Sequence, residues 1–310
     1  MSLAGQAVAA VHGRLALPPG VVVEEEEFDD ATQASAWLGT QYPTLNACLR
    51  AAAQAQLDAH VSRIARALHG FFDWRGLWRE AVEVHGIAVA SARRRGSPRA
   101  QANALNRLGI AHGRLGELDS ALARFEEALD LYREADDAIG QAHALLSQAW
   151  ILGMQQWHAQ LIPIAERALG LFRTAGDRAG EGRALNSIGY ALTCLGEHGQ
   201  AIDRLQETLD VLHEAGDLTI EGNAWDSLGC AYRDTGKHAD ALESFQRALD
   251  LFQEFGDRYC EAETLVHLGD ALRRAGDVDE ARAAWLAALS ILDDLGHADV
   301  QGVRVRLEAT

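Results

Sequence analysis

The chain repeats itself every forty residues, and the register holds without an insertion from Gly109 to Gly276. Gly109, Gly189, Gly229 and Gly269 share one position of the repeat, and Gly116, Gly196, Gly236 and Gly276 share another. Leu129, Leu169, Leu209, Leu249 and Leu289 share a third. A unit of this size cannot bury its own apolar face, so the period implies stacked neighbours with one continuous core. Such an array works through an extended concave surface rather than a catalytic pocket.

Inside one unit, Leu105, Leu108, Ala111 and Leu115 recur at helical spacing, Gly116 interrupts, and Ala121, Phe125, Ala128, Leu129 and Tyr132 resume the pattern. The spacing predicts a helix, a tight turn and an antiparallel helix. Gly116 suits the left-handed position that closes a helix. Gly176-Asp177, Gly216-Asp217 and Gly256-Asp257 read as a glycine ending one helix and an aspartate capping the next. Gly109 and its equivalents lie within the first helix, where glycine costs about 1 kcal/mol relative to alanine. A cost repeated in phase implies close helix approach. Ala121, Ala201, Ala241 and Ala281 are expected opposite these glycines, with Phe125, Phe245 and Trp285 filling wider gaps. The second unit departs from the pattern: Gln156 and Trp157 replace the Gly-Glu turn, Ala149 replaces the interior glycine, and Pro163 falls early in the second helix.

The five units begin near residues 99, 139, 179, 219 and 259 and fill 99–298. A degenerate unit at 59–98 precedes them, with Gly76 and Ala81 in register with Gly116 and Ala121. Residues 28–58 are expected to form N-terminal capping helices and 299–310 a C-terminal capping helix. Residues 1–27 end in Pro18, Pro19, Gly20 and the acidic run Glu24 to Glu27, and read as a disordered linker.

The net charge of −17 repels a nucleic-acid backbone, and no basic run longer than Arg93, Arg94 and Arg95 occurs, so direct nucleic-acid binding is not expected. Cys48, Cys194, Cys230 and Cys260 show neither CxxC spacing nor paired histidines, which fits a reducing cytoplasm and no metal site. Twelve histidines occur without an HExxH motif, and His198 and His238 fall in expected inter-helix turns. No Ser/His/Asp or Cys/His spacing suggests catalysis, so neither an enzyme nor a cofactor is expected. The apolar stretch from Ala4 to Leu17 is broken by His12, Gly13 and Arg14 and is neither a signal peptide nor a membrane span.

The Leu-Gly, Gly, Ala, large, Ala-Leu order resembles the tetratricopeptide repeat (TPR), with a longer second helix and without that family's terminal proline. The resemblance implies an all-α, right-handed superhelical solenoid of helix pairs. Upstream, Ala36-Trp37-Leu38, Gln41, Leu45 and Ala47 are similar to the segment that opens the C-terminal region of actinobacterial regulators. Phe72, Arg75-Gly76, Trp78 and Glu80-Ala81 resemble the segment that follows it there. Together with the repeats, these segments look like the TPR region of the Streptomyces antibiotic regulatory protein (SARP) type of activators and their NB-ARC-containing relatives. That resemblance implies a sensory or protein-interaction module of a regulator of secondary metabolism, and a fragment of it, since no GxxxxGK[ST] loop occurs.

The first helix of each unit should build the inner face, with every third or fourth residue on one stripe. Down the chain, that stripe carries Asn103, Asn106, Ile110 and Arg114, then Leu146, Trp150 and Met154, then Arg183, Asn186 and Tyr190. Asp226 and Arg233 continue it, with Asp270 beyond. An apolar floor at Leu146, Trp150 and Met154 rimmed by amides and arginines is the usual make-up of a ligand pocket, and arginine's planar fork suits a carboxylate. The same apolar residues also suit a drifted unit repacking its core, and Arg233 beside Asp234 also suits a surface ion pair; the sequence leaves both open. The expected occupants are a partner protein, another domain of the same regulator, a peptide or a small effector. A receptor of quorum-sensing type acting alone is the rival within this fold, and a hydrolase built on helical repeats the rival of another class.

Overall fold

The computed structural model describes residues 31–309 apart from 216, 217 and 298. The expected linker at 1–27 and the Gly216-Asp217 cap therefore lie outside the described residues. Fourteen helices and no strand occur among the described residues. They are α1 (Ala31–Gln54), α2 (Asp58–Arg75), α3 (Trp78–Arg94), α4 (Pro98–Arg114), α5 (Leu118–Glu134), α6 (Ala138–Met154) and α7 (His158–Ala175). There follow α8 (Arg178–Cys194), α9 (His198–Ala215), α10 (Leu218–Asp234), α11 (His238–Phe255), α12 (Arg258–Ala275), α13 (Val278–Leu295) and α14 (Val300–Glu308). Within the described part of the expected N-terminal cap lies the single helix Ala31–Gln54, with Pro43 inside it. His198 and His238 open helices α9 and α11 instead of lying in turns. Pro163 is the sixth residue of α7, past the first turn, and the helix continues through it. None of the described helices is long and apolar enough to cross a membrane.

The described residues form two compact units, divided between Gly140 and Gln141. In the first, Leu49, Val61, Leu68, Phe72 and Val84 make the buried centre, and Trp37, Tyr42 and Leu45 of α1 pack against it. The segments around Trp37 and Phe72 are therefore core-forming. In the second, Phe245 and Ala241 meet Cys230 and Ala271, while Trp285, Ile291 and Val303 close the C-terminal end. There α8 touches α10, and α10 touches α12, so the first helices of successive pairs form one layer.

The in-phase glycines explain how the pairs close. A Cβ placed on Gly109 would stand 2.5 Å from Cε1 of Phe125, and one on Gly229 would stand 2.6 Å from Cε1 of Phe245. Gly189 meets Leu205 and Gly269 meets Trp285 in the same way. The large residue of the second helix thus sits directly on the glycine. This corrects the expectation that alanines face it. Phe125, Phe245 and Trp285 are fully buried, and truncating such a residue typically costs about 3 to 5 kcal/mol.

The turns follow one plan with two kinds of residue. Gly116 closes its helix at φ +77°, whereas Gln156 of the divergent unit adopts φ +60° at the equivalent position. A side chain in that region costs about 1 to 2 kcal/mol, so the stacking imposes the turn even where glycine is lost. Asp177 accepts from the Gly180 N–H at 2.9 Å and Asp257 from the Cys260 N–H at 3.1 Å, as the spacing predicts. Asp137 does the same for Gly140 at 2.9 Å, after a left-handed Asp136 in place of the glycine.

Helix propensity alone would make Gly109→Ala stabilising by about 1 kcal/mol. The ring of Phe125 reverses the sign: the variant is expected to lose about 1 to 3 kcal/mol, with Gly189→Leu at the upper end. Urea denaturation decides, and a Gly109→Ala protein as stable as the parent would remove the close seat.

Candidate functional site

Four of the expected groove residues fall in the first unit and eight in the second. In the first, Asn103 accepts a hydrogen bond at 2.7 Å from the Tyr132 hydroxyl. Arg114 lies over the Trp78 ring at 5.4 Å from its centroid. Ile110 is half-buried, and the Asn106 carboxamide oxygen is buried with no hydrogen-bond partner among the described residues.

In the second unit, the α6 and α8 part of the row keeps its apolar surface in reach of solvent. Trp150 is half-buried, Met154 is 48% exposed and Tyr190 is 45% exposed. The Tyr190 ring lies edge-on to His158 with centroids 5.9 Å apart. Burial, reinforced by the neighbouring Cys194 thiol, pushes its phenol above the usual range. Leu146 is half-buried and Arg183 exposed. Between them by register, the Asn186 carboxamide oxygen is buried and accepts no hydrogen bond among the described residues.

The α10 and α12 part is different, because its charges are satisfied internally. Asp226 faces the Nδ1 of His267 at 3.0 Å with both oxygens. Arg233 holds Asp234 through Nε at 2.9 Å and Nη2 at 3.2 Å, and Arg274 reaches the same carboxylate at 2.7 Å. The Arg233 side chain is 14% exposed and that of Asp234 24%, so the pair lies half-buried at the surface. Asp270 in turn is gripped by Nε and Nη2 of Arg306 from α14. Sequence reasoning missed His267 and Arg306, which sit about one repeat beyond their partners, at offsets that no local motif encodes.

The ligand-capable atoms of Asp226, Cys230 and His267 lie within 4.8 Å of one another, so these three side chains could hold a metal ion. The histidine is already otherwise engaged. Burial by itself would push the imidazole down, but the charge of Asp226, with the Cys230 sulfur beside it, outweighs this and carries the pKa well above its ordinary value. A metal would need that proton released.

Helix pairs at a fixed period, glycine seats under large residues and a layer of first helices define a helical-repeat scaffold. The tetratricopeptide-repeat family model matches residues 61–134, 100–160 and 221–294, more than half of the chain, and the protein belongs to that family. A shorter stretch, residues 184–221, matches the model for anaphase-promoting complex subunit 5. No curated protein matches the chain. Among solved structures, the chain is similar to a Rap protein complexed with Competence and Sporulation Factor, at 15% identity over 81% of this chain and 74% of that one, with a TM-score of 0.61. Aspartyl phosphate phosphatase F from Bacillus subtilis is 13% identical over 83% of this chain and 72% of that one, with a TM-score of 0.58. A STAND protein with a tetratricopeptide repeat sensor from Pyrococcus horikoshii is 14% identical, with a TM-score of 0.56, covering 81% of this chain but only 44% of that one. At these identities the likeness is one of fold.

The Asp226–His267 pair makes stability depend on pH in a defined direction. Because the folded pKa of His267 lies above the unfolded one, the pair's contribution is complete below about pH 6.5. It fades as pH rises through the folded value. Asp226→Asn should abolish that slope and cost about 1 to 3 kcal/mol at neutral pH, since the half-buried imidazole loses its charged partner and reverts to the neutral form. An NMR titration of the His267 ring checks the shift, and an ordinary midpoint there would refute the pairing.

Proposed function

We propose that the chain is the interaction module of a transcriptional regulator and takes an extended peptide segment along the α6–α8 part of the row. The segment comes from a partner protein or from another domain of the same regulator. The observation that carries this is the Asn186 carboxamide oxygen, buried yet without a donor, on the row that also exposes Met154 and Tyr190. An unpaired buried acceptor costs about 1 to 3 kcal/mol, and a peptide N–H would supply the missing donor. A carboxamide both donates and accepts, so it can read a backbone amide whatever the peptide's side chains. Trp150, Tyr190 and Met154 offer apolar area, and the exposed Arg183 lies on the same stripe. Asn106, two repeats earlier, has its oxygen buried and unpartnered in the same way.

The regulatory setting, with secondary metabolism as its field, rests on the segments around Trp37 and Phe72 that resemble the SARP-type regulators. In this reading the module is cytoplasmic, uses no cofactor, contacts no nucleic acid and performs no chemistry. Occupancy of the row shifts the population of states in which the module packs on its neighbouring domains. A stand-alone peptide receptor of quorum-sensing type is the second reading, favoured by the likeness to the Rap protein in complex with Competence and Sporulation Factor. A reading frame that continues into a DNA-binding domain supports the first and excludes the second.

Peptides selected from a random display library on the parent protein should bind Asn186→Leu, Tyr190→Ala and Arg183→Ala at least about tenfold more weakly. Asn186→Leu should keep or raise the thermal midpoint, because it removes an orphaned acceptor. Trp150→Ala should lose binding with far less than the about 3 to 5 kcal/mol that a core tryptophan costs. Selected peptides indifferent to all four substitutions, or variants that lose stability and binding in parallel, would refute this site.

A further inference from the structure

The first unit contains a cleft of about 430 Å³ between α2, α3 and α4 whose charged lining is entirely basic. Arg63, Arg66, Arg95 and Arg107 line it, and no aspartate or glutamate does, in a chain whose net charge is −17. None of the four guanidiniums makes an ion pair or side-chain hydrogen bond among the described residues. Neighbouring arginines are tied down: Arg94 holds Asp58 at 2.6 Å, and Arg93 holds Glu127 at 3.2 Å. Four like charges sharing one cleft repel each other, and an evenly acidic protein has carboxylates to spare for them. Water screens Arg66 and Arg95, which are exposed, but one polyvalent anion in the cleft could pair with all four guanidiniums at once.

The polar groups beside the arginines also point to an anion. The Tyr132 hydroxyl donates to the Asn103 oxygen at 2.7 Å, which occupies that amide's acceptor and leaves its NH₂ to donate. His85 lines the cleft, is 1% exposed, and has no hydrogen-bond partner at either ring nitrogen among the described residues. Burial, with the charge of Arg107 behind it, lowers its pKa to about 3, so it is a neutral imidazole with an N–H unspoken for. Burial holds Arg107 below its ordinary value, outweighing the opposing pull of Asp73 and Tyr132, with the charge of Arg66 adding the least. The rest of the wall is mostly alanine, which leaves room for an uncharged organic part, and the volume is that of a small-molecule site.

We infer that this cleft is a binding site for a small phosphate-bearing metabolite with at least two phosphoryl groups, held by Arg63, Arg66, Arg95 and Arg107. Two phosphoryl groups present enough oxygens to engage four planar forks in pairs, whereas a monoanion would leave two forks unmatched. The site is independent of the row in the second unit, and either can fail without the other.

Isothermal titration of the full chain in about 0.15 M salt, where the Debye length is about 8 Å, tests it with inorganic pyrophosphate, ADP, citrate and a short DNA duplex. Saturable one-to-one binding of pyrophosphate and ADP is expected, with citrate weaker. Arg66→Gln and Arg95→Gln, both at exposed positions, should each weaken it about tenfold to a hundredfold. Arg93→Gln, outside the cleft, should leave it unchanged. Circular dichroism and the thermal midpoint verify that each variant is folded. Absence of saturable pyrophosphate and ADP binding, or binding that ignores Arg66 and Arg95, would overturn the inference. Citrate binding as tightly as pyrophosphate would reassign the cleft to polycarboxylates. Tight duplex binding lost in the same variants would reassign it to nucleic acid.

Discussion

The structure depends on one contact made over and over: a large side chain of the second helix seated on a glycine of the first. Phe125 on Gly109, Leu205 on Gly189, Phe245 on Gly229 and Trp285 on Gly269 each need backbone exposed on one face and a bulky group on the other. Alanine at these glycines would meet the ring inside van der Waals contact, so the seat sets how closely the two helices of a pair lie. The divergent pair, with Ala149 where the others have glycine, lacks this seat, and that same pair contributes Trp150 and Met154 to the candidate row.

The second constraint is electrostatic. An acidic array could have left its carboxylates to solvent, but the second unit spends many of them in pairs that cross from helix to helix, as in Asp226–His267, Asp234–Arg274 and Asp270–Arg306. Glu181, nearly buried, is likewise shared by Arg173 and Arg178. Two other parts of the surface differ in character. The α6–α8 stretch exposes apolar groups beside an amide oxygen with no hydrogen-bond partner among the described residues, and four guanidiniums and no carboxylate line the cleft of the first unit. These are the places where a bound molecule would complete what the chain leaves unfinished, with opposite chemistry at the two sites.

The repeat period, the turns at Gly116 and its equivalents, and the aspartate caps were legible in the sequence because they are local: each depends on residues within one turn of helix or on a fixed spacing. The placement of the row was legible for the same reason, since helical register alone puts Asn186, Tyr190 and Arg183 on one stripe. Their environments were not. Half-burial of Trp150 and burial of the Asn186 oxygen follow from how neighbouring pairs stack. His267 lies 41 residues from Asp226 and gave no signal that a motif could register.

Amino-acid order by itself therefore determined the class of fold, the length of the unit and which helix of each pair carries the glycines, because glycine and apolar periodicity act over a few residues. Only the tertiary structure decided which side of the glycine seat is filled, that Asp226 and Arg233 are spent on internal partners, and that Arg63, Arg66, Arg95 and Arg107 converge. Spread over more than forty residues and three helical segments, those arginines read as scattered surface charge. Convergence arises from packing the helices of successive pairs against one another, and charges far apart in sequence meet only when that packing is made.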